Sequence, residues 1–510
     1  MNIVGIDLGT TFSGLAVLDK IGKPEIVPNS DGERITPSIV FFDPDEDGMV
    51  VIGEEARKAM DMNPDHVIDE VKQKMGKVKS ISVGGRSMTP TEISSLIMKK
   101  LIQDAGKIYG EIDEAVITVP ANFTESARRA TKDAGEMAGL KKVVLVDEPV
   151  AAALQYATSQ SVRGRVLVYD LGGGTFDVTI ADIDGTNVDV VTSQGDPNLG
   201  GKDFDRELAA LLSEKYKDKC GQALFEEKPD YKLMEDSENL KRTLSRRAKG
   251  GKDRPAKIQT MGPAGPQNLE VAPSEFEKAI STYLSKAEGL IDVALDEAKI
   301  DESGIDHVLL VGGSTRIPCI QRRLENRFGQ QPSEAVNPDE AVALGAAIHA
   351  GLNADPGRLN PVQKKEMDGV NLGDVANQHY GTLALRMSVS GEPEIYNSII
   401  LEKNTPIPCS KTEQYSTVND GQVSIECSVT QCTADEDNPE FVTIVQRADL
   451  DGLPSGRPAG QEIEVTFSYD ENKMMQCKFK DVDSGKSQTL DIKPDDYQGT
   501  DGGAAHFEVE

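Results

Sequence analysis

The sequence predicts an α/β region over residues 1–352 followed by a small antiparallel β-sandwich over residues 381–494. Three observations carry that expectation. Short apolar runs alternate with stretches of helical spacing through the first region, which is the signature of strand–helix alternation. Two glycine hairpins of one plan stand inside it, Ile3-Val-Gly-Ile-Asp7-Leu-Gly9-Thr10-Thr11 and Val166-Leu-Val-Tyr-Asp170-Leu-Gly172-Gly173-Gly174-Thr175-Phe-Asp177. Beyond residue 380 the apolar period changes to two, turns fall at short intervals, and no helical pattern remains.

Taken in order, residues 1–60 read as a meander, with apolar runs at Ile3–Ile6, Leu15–Leu18 and Ser38–Phe42, and a helix over Glu54–Met62. Thr89-Pro90-Thr91-Glu92 is a capping box with proline in the first turn, and Ile93, Leu96, Ile97 and Leu101 follow on one face. Ala115–Val119 is a buried strand, Thr124 caps a helix running to about Gly139, and Val143–Val146 is a strand delivering Asp147-Glu148-Pro149 to an alanine-rich helix. The plan then repeats. Val188–Thr192 is a strand, Gly200-Gly201-Lys-Asp203 opens a helix through Leu212, and residues 225–257 read as helical and basic. Ser274-x-x-Glu277 reads as a second capping box, and His307–Val311 is a strand before the turn Gly312-Gly313-Ser-Thr-Arg316. Residues 353–380 are polar, hold two prolines and read as a linker. Seven strands follow, at Gly381–Val389, Glu394–Leu401, Gln422–Thr430, Phe441–Arg447, Glu462–Tyr469, Met474–Lys480 and Lys486–Ile492. The tail, 495–510, is acidic and without Lys or Arg, so disorder is the expectation there.

Bulk properties exclude several function classes. With 55 Lys and Arg against 85 Asp and Glu, the net charge is -30, which argues against general binding to nucleic acid or to an anionic membrane. No apolar run approaches the ~18 residues of a membrane helix, and Met1 leads straight into a strand with no basic, cleavable leader, so the expected location is cytoplasmic. Six cysteines without a C-x-x-C pair suit reduced thiols, with Cys427 and Cys432 close enough to meet within a hairpin.

The chemistry starts from the hairpins. A turn of glycines leaves consecutive backbone N–H groups free to close around a phosphate, at Gly9 and at Gly172, Gly173 and Gly174. The hydroxyls of Thr10, Thr11 and Thr175 are placed to bind phosphate oxygens. Asp7 and Asp170, at the two strand ends, would repel phosphate and suit hydrated Mg²⁺ held through water. Glu148 at a helix start is suited to orient an attacking water, and a lysine must come from elsewhere. Two such hairpins suggest an internal duplication that faces one nucleotide from both sides.

Ile6-Asp-Leu-Gly-Thr-Thr, Val119-Pro-Ala, the Asp170–Asp177 motif, Val311-Gly-Gly-Ser-Thr-Arg-Ile-Pro318 and Asn337-Pro-Asp-Glu-Ala-Val-Ala together resemble the 70-kDa heat-shock chaperone family of DnaK type. The likeness is strong over residues 1–352 and thinner to about 494. It implies a two-lobed actin-like ATPase domain, a duplicated ribonuclease-H-like fold, followed by a peptide-binding β-sandwich. It also implies slow hydrolysis of ATP to ADP with Mg²⁺, and with K⁺ in the same pocket. The implied partners are extended apolar peptides, a J-domain co-chaperone and a nucleotide exchange factor. By resemblance Lys72 is the catalytic lysine, with Lys74 two residues away as its competitor, and Glu148, Asp170, Thr175 and Asp177 complete the catalytic set. Glu238, Lys241, Arg242 and Ser245 match the adenosine-binding helix, joined by Gly312, Gly313, Arg316 and Asp339, with Gly200 and Gly201 counted in the same pocket. Arg246, Arg247 and Lys249 are expected to face solvent instead. Pro120 and Arg128 match the family's allosteric switch, and Val418 and Ile425 its peptide pocket.

Three departures qualify the resemblance. Val370-Asn-Leu-Gly-Asp-Val375 is less apolar than the family's leucine linker, which puts coupling between the domains in question. The stretch between Lys72 and Thr89 is short, as in members lacking an insertion in one lobe, and bears on exchange-factor recognition. No helical lid is legible before Glu510, so bound peptide is expected to leave quickly. The alternative reading is a nucleotide-dependent regulator or scaffold whose β-domain binds one dedicated partner.

Overall fold

The computed structural model describes residues 2–46, 48–160, 162–333, 337–355, 357–388, 391–470, 473–491 and 507–510. Its first half is built on two sheets of matching plan. In one, the strands run Lys142–Asp147, Ile112–Val119, Asn2–Asp7, Phe12–Leu18 and Pro24–Ile26, with Thr36–Pro37 also on Phe12–Leu18. In the other they run His307–Val311, Arg163–Leu171, Phe176–Asp184, Asn187–Asp196, Asn371–Val375 and Pro406–Ile407. Each sheet has a glycine hairpin, antiparallel by nature, with a parallel neighbour on its first strand. The strands are near-continuous apolar runs because both faces are covered.

What covers the facing sides is a pair of small-residue helices, Glu148–Gln160 and Ala341–Leu352. They bury one core with Val116, Val144, Val146, Val166, Val168, Leu309 and Val311 from the two sheets. Their approach is so close that a Cβ on Gly345 would stand 1.7 Å from the Ala151 carbonyl oxygen, so glycine is obligatory there. Each sheet's outer side has its own core, one closed by the helix Pro90–Tyr109, the other by Gly201–Cys220, Tyr231–Ala248 and Ser281–Ala298.

The capping box at residue 89 forms as read: Thr89 Oγ1 accepts from Glu92 N at 3.1 Å, and Glu92 Oε2 accepts from Thr89 N at 2.7 Å. Thr124 caps Glu125–Met137 with its side chain alone, Thr124 Oγ1 accepting from Ala127 N at 3.2 Å. Two expectations fail here. The basic helix ends at Ala248, and after Pro255 the chain forms a hairpin, Ala256–Gly262 with Gly265–Val271, because proline cannot continue a helix. Ser274 is not a cap either. Its helix begins at Pro273, Glu275 accepts from Ala272 N, and the Ser274 hydroxyl donates to Asp253.

The last third is a β-sandwich of two four-stranded antiparallel sheets. One runs Pro393–Leu401, His379–Met387, Ser424–Cys432, Thr443–Asp451, and the other Cys409–Ser416, Glu462–Tyr469, Met475–Asp481, Ser487–Asp491. Cys427 and Cys432 lie on one strand, so they cannot meet across a hairpin, and no disulfide joins any of the six cysteines. The polar stretch read as a linker contains the helix Pro361–Met367 and the strand Asn371–Val375, which pairs with Asn187–Asp196 on one side and Pro406–Ile407 on the other. The tail read as disordered is paired at its last residues: Glu508–Val509 lies parallel to Met49–Val50, while 495–506 fall outside the described residues. No helix among the described residues is long and apolar enough to cross a membrane.

Candidate functional site

The strand ends and glycine turns of both sheets open into one cleft of about 1450 Å³. Asp7, Gly9, Thr10 and Thr11 line it from one hairpin, and Asp170, Gly172, Gly173 and Thr175 from the other. Sequence alone foresaw this convergence, and its local causes are visible. Gly9 is pinned by Ser13 and Ser38, Gly9 N donating to Ser13 Oγ at 3.2 Å and Ser38 Oγ donating to Gly9 O at 2.8 Å. The second turn is held by the start of Gly201–Cys220, where Gly201 N and Lys202 N donate to the carbonyls of Gly172 and Gly173 at 3.0 and 2.8 Å. Gly200 packs against that turn, where any Cβ would stand 2.4 Å from Gly174 N. Gly174 itself accepts from Gln73 Nε2 at 2.7 Å.

Lys72 sits in the short 3-10 turn Val71–Lys74 and is buried, its Nζ donating to Glu148 Oε1. Lys74 turns away to the Asp69 carbonyl, so Lys72 is the lysine in the cleft. Around it stand four carboxylates, with Glu148, Asp170 and Asp177 buried and Asp7 partly buried. Asp7 accepts from Thr118 Oγ1 at 2.9 Å, and Asp177 accepts from Asn122 Nδ2 at 3.2 Å. Burial pushes the Glu148 carboxyl up to about 7, against the pull of Lys72, and pushes Asp177 up to about 8 with help from the charge on Glu148. Burial and the neighbouring charges of Glu148, Asp177 and Asp7 hold Asp170 well above the ordinary carboxylate range, and burial raises Asp7 as well. One lysine against four carboxylates leaves a surplus of negative charge in a place shielded from water. Asp170 Oδ2 and Thr11 Oγ1 are buried without a hydrogen-bond partner, which is costly unless something binds there. That donor set suits a hydrated divalent cation between the two hairpins. Among the described residues no group of three or more His, Cys, Asp or Glu side chains is placed to hold a metal ion directly.

The other wall carries the adenosine-side candidates. Glu238, Lys241, Arg242 and Ser245 line the cavity from one helix, facing Gly312, Gly313, Arg316 and Asp339. Lys241 Nζ reaches Asp205 Oδ2 at 2.9 Å and Gly201 O at 3.0 Å, and Arg316 donates to Asp339 Oδ2 at 2.6 Å. Gly312 has φ 81°, and a Cβ there would meet the Leu171 carbonyl oxygen at 2.4 Å. Arg246 and Lys249, expected on a solvated face, line the same cavity, whereas Arg247 binds the Pro255 carbonyl.

The back of the cleft meets the β-sandwich. Glu148 faces Lys72, and its neighbour Asp147 faces the other way into a buried polar cluster. Asp147 accepts from Arg128 Nη1 at 2.8 Å, from Asn377 Nδ2 at 2.5 Å and from Lys473 Nζ at 2.5 Å. Arg128 also donates to the Ala121 carbonyl beside Pro120, and Lys473 pairs with Asp374 at 2.7 Å. Burial opposes the charge on Asp147, but Arg128 and Lys473 outweigh it and hold the carboxyl below its usual range. A second contact joins Glu297 to Thr192 and Gln194 on one side and to Lys403 and Asn404 of the sandwich on the other. Sequence reading found Arg128 but missed Asp147, Asn377, Lys473 and Glu297. Their only local signal was two consecutive acids before a proline at residue 149.

Glu125 belongs to the same interface and gives it a pH dependence. Its Oε1 accepts from Met475 N at 3.3 Å and its Oε2 has no partner. Burial pushes it up to about 7, opposed by Arg128 and the Met475 amide. Asp470, Arg129, Tyr380 and Tyr469 complete the charged and titratable groups around it. Once exposed, such a carboxyl returns to about 4.3. The form with the sandwich packed on Glu125 therefore binds the extra proton, so this packing is favoured at pH below about 4.3 and weakens as pH rises towards 7, by up to about tenfold per unit, then levels off. Energy transfer between dyes on the two domains should show this loss between pH 5 and 7, and Glu125→Gln should flatten it.

The structure does not bring Val418 and Ile425 into one pocket. Val418 is half exposed in the turn before residue 424, and Ile425 packs on the sandwich core. The exposed apolar residues nearby are instead Leu385, Met387, Ile395 and Val423, with Leu385 paired to Ile395 across two strands.

Comparison with known proteins agrees with this arrangement. A family model described as Hsp70 protein matches residues 3–83 and 77–503. Proteins named Chaperone protein DnaK from Thermotoga neapolitana and Thermotoga petrophila are each 37% identical over 497 residues, which is 96% of this chain and 80% of theirs. The same figures hold for the Thermotoga maritima protein of that name. With the paired glycine hairpins, the acidic cleft and a matching family model in agreement, the chain belongs to the Hsp70 protein family and is an Hsp70-type chaperone and ATPase.

Proposed function

We propose that ATP hydrolysis in the cleft drives binding and release of extended apolar peptides by the β-sandwich. As a member of its family the chain binds ATP and ADP, generally with Mg²⁺, and works with substrate polypeptides and co-chaperones. In this reading residues 1–352 are a two-lobed actin-like ATPase domain, 353–380 the connection, 381–494 the peptide-binding domain and 495–510 a tail. The hairpin amides and the hydroxyls of Thr10, Thr11 and Thr175 bind the phosphates. Asp7 and Asp170 hold the hydrated Mg²⁺, which supplies neutralising charge on the phosphates, and K⁺ is a second ion suited to the same acidic pocket. Lys72, paired with Glu148, meets the phosphate charge, while Glu148 and Asp177, poised near neutral pH, orient the attacking water and accept its proton. Glu238, Lys241, Arg242, Ser245, Gly312, Gly313, Arg316 and Asp339 hold the adenosine. Partners of this reading are a J-domain co-chaperone and an exchange factor that accepts the short 73–88 segment. The exposed apolar pair Leu385 and Ile395, with Met387, Val418 and Val423, offers an extended peptide its contacts.

The observation that carries the proposal is the adjacency of Glu148 and Asp147. One faces the nucleotide cleft and the other faces Arg128, Asn377 and Lys473, so any shift of this helix start is felt on both sides. The alternative of a regulator with one dedicated partner drew on the weakly apolar linker. That segment is here a strand inside the second sheet, which supports coupling instead. The test is the release rate of a labelled apolar peptide with ATP and with ADP. Release at least tenfold faster with ATP is expected, and equal rates would contradict coupling. No binding by any member of an apolar peptide panel would favour the regulator.

A further inference from the structure

The last residues of the chain form an element that the nucleotide and peptide sites do not use. Phe507–Glu510 reads Phe-Glu-Val-Glu, and its burial alternates as a strand's should, with Phe507 8% exposed, Glu508 exposed, Val509 partly buried and Glu510 exposed. It adds a parallel strand to the edge of Met49–Ile52, outside Val40–Phe42 and Val67–Ile68. Glu508 N donates to Gly48 O at 3.0 Å, Glu510 N to Val50 O at 2.9 Å, and Ile52 N to Glu510 O at 3.1 Å. Lys99 Nζ, from the helix Pro90–Tyr109, donates to the Phe507 carbonyl at 2.8 Å. The Phe507 ring lies edge-on to Phe42 at 5.5 Å with the Arg86 guanidinium 5.2 Å over its face. An aromatic anchor in a pocket, a cation on its face and a run of main-chain bonds together make a strand-addition site.

We propose that Phe507–Glu510 is an intramolecular latch, a β-strand docked on the edge of Met49–Ile52 that ties the trailing end of the β-sandwich back to the ATPase domain. The sandwich is already joined at its leading end through Asn371–Val375 and rests on Glu125 and Asp147 of the same first-sheet unit that receives the tail. With the tail seated, the chain closes a ring, and an undocked sandwich is tethered at both ends. Restricting the undocked ensemble raises the population of the docked one, as any loop closure does. Acidic composition made the segment read as solvated, yet its two apolar residues alternate with the acids at strand period.

Hydrogen exchange tests the latch through two amides, Ile52 N, bonded to the tail, and Met475 N, bonded across the domain interface to Glu125. In the full chain with a non-hydrolysable ATP analogue, Phe507→Ala should speed exchange at Ile52 at least tenfold and at Met475 several-fold. No change at Ile52 overturns the docking, and a change at Ile52 alone overturns the latch. The Ile52 readout does not depend on the nucleotide reading, so the two can fail separately. A chain lacking 495–510, given a synthetic Phe-Glu-Val-Glu peptide, should recover protection at Ile52 but not at Met475, because a free peptide fills the site without tethering. Recovery at neither amide overturns the strand site. Recovery at both overturns the tether, since packing alone would then explain the effect.

Discussion

Asp170→Ala is expected to lower single-turnover ATP hydrolysis by about 10²–10³-fold, the size of loss found when one preorganised transition-state-stabilising group is removed, here the carboxylate that would hold Mg²⁺ on the phosphates. Asp170 stands at the end of Arg163–Leu171, paired in register with Asp177, and its Oδ2 is buried without a partner. The same charges set the sign of the stability change. Burial and three neighbouring carboxylates disfavour its charge, so its removal relieves repulsion in the nucleotide-free protein. Thermal unfolding of the variant without nucleotide should therefore occur at an unchanged or higher temperature, while stabilisation by Mg-ATP shrinks. Unchanged turnover would refute the site assignment. A large drop in unfolding temperature would show that Asp170 is a structural group.

Lys473→Met should disrupt docking of the sandwich while leaving ATP affinity intact. Lys473 is 2% exposed and is shared by Asp147 and Asp374. Its loss leaves buried Asp147 and partly buried Asp374 to one guanidinium, and breaking a buried pair in this way costs about 3–5 kcal/mol. The docked arrangement bears that cost, because Asp147 keeps Arg128 and can turn to water once the sandwich leaves. Energy transfer between the domains with ATP bound should fall well below that of the unchanged protein. Adding Asp374→Asn should recover part of the signal, since the lost cation then leaves one fewer carboxylate unpaired. Unaltered transfer in Lys473→Met would remove the polar cluster from the coupling path.

The two hairpins that line the candidate cleft were legible because their parts are local. Strand, Asp, Leu, Gly and Thr follow one another, so the turns at Asp7–Thr11 and Asp170–Thr175 are written in consecutive residues. The sandwich strands were legible through period two, and Glu462–Tyr469 ends where the pattern ends. Cys409–Ser416 was missed because most of its residues are exposed, leaving no apolar alternation to read. The coupling cluster was illegible for a different reason. Asp147 meets Asn377 and Lys473 across 230 and 326 residues, and a lone polar residue gives no sign of a partner so distant. The linker and tail misled through composition, since each adds only a short strand to a sheet built by other parts of the chain and carries few apolar residues of its own.

The central claim is that the β-sandwich reports to the nucleotide cleft through Asp147 and Glu148. Single-turnover ATP hydrolysis, with and without a saturating extended apolar peptide, measures that connection directly. The account predicts a higher rate with peptide, because a peptide-filled sandwich that leaves the Asp147 cluster alters the helix start bearing Glu148. One rate under both conditions would contradict it and separate the two domains in function.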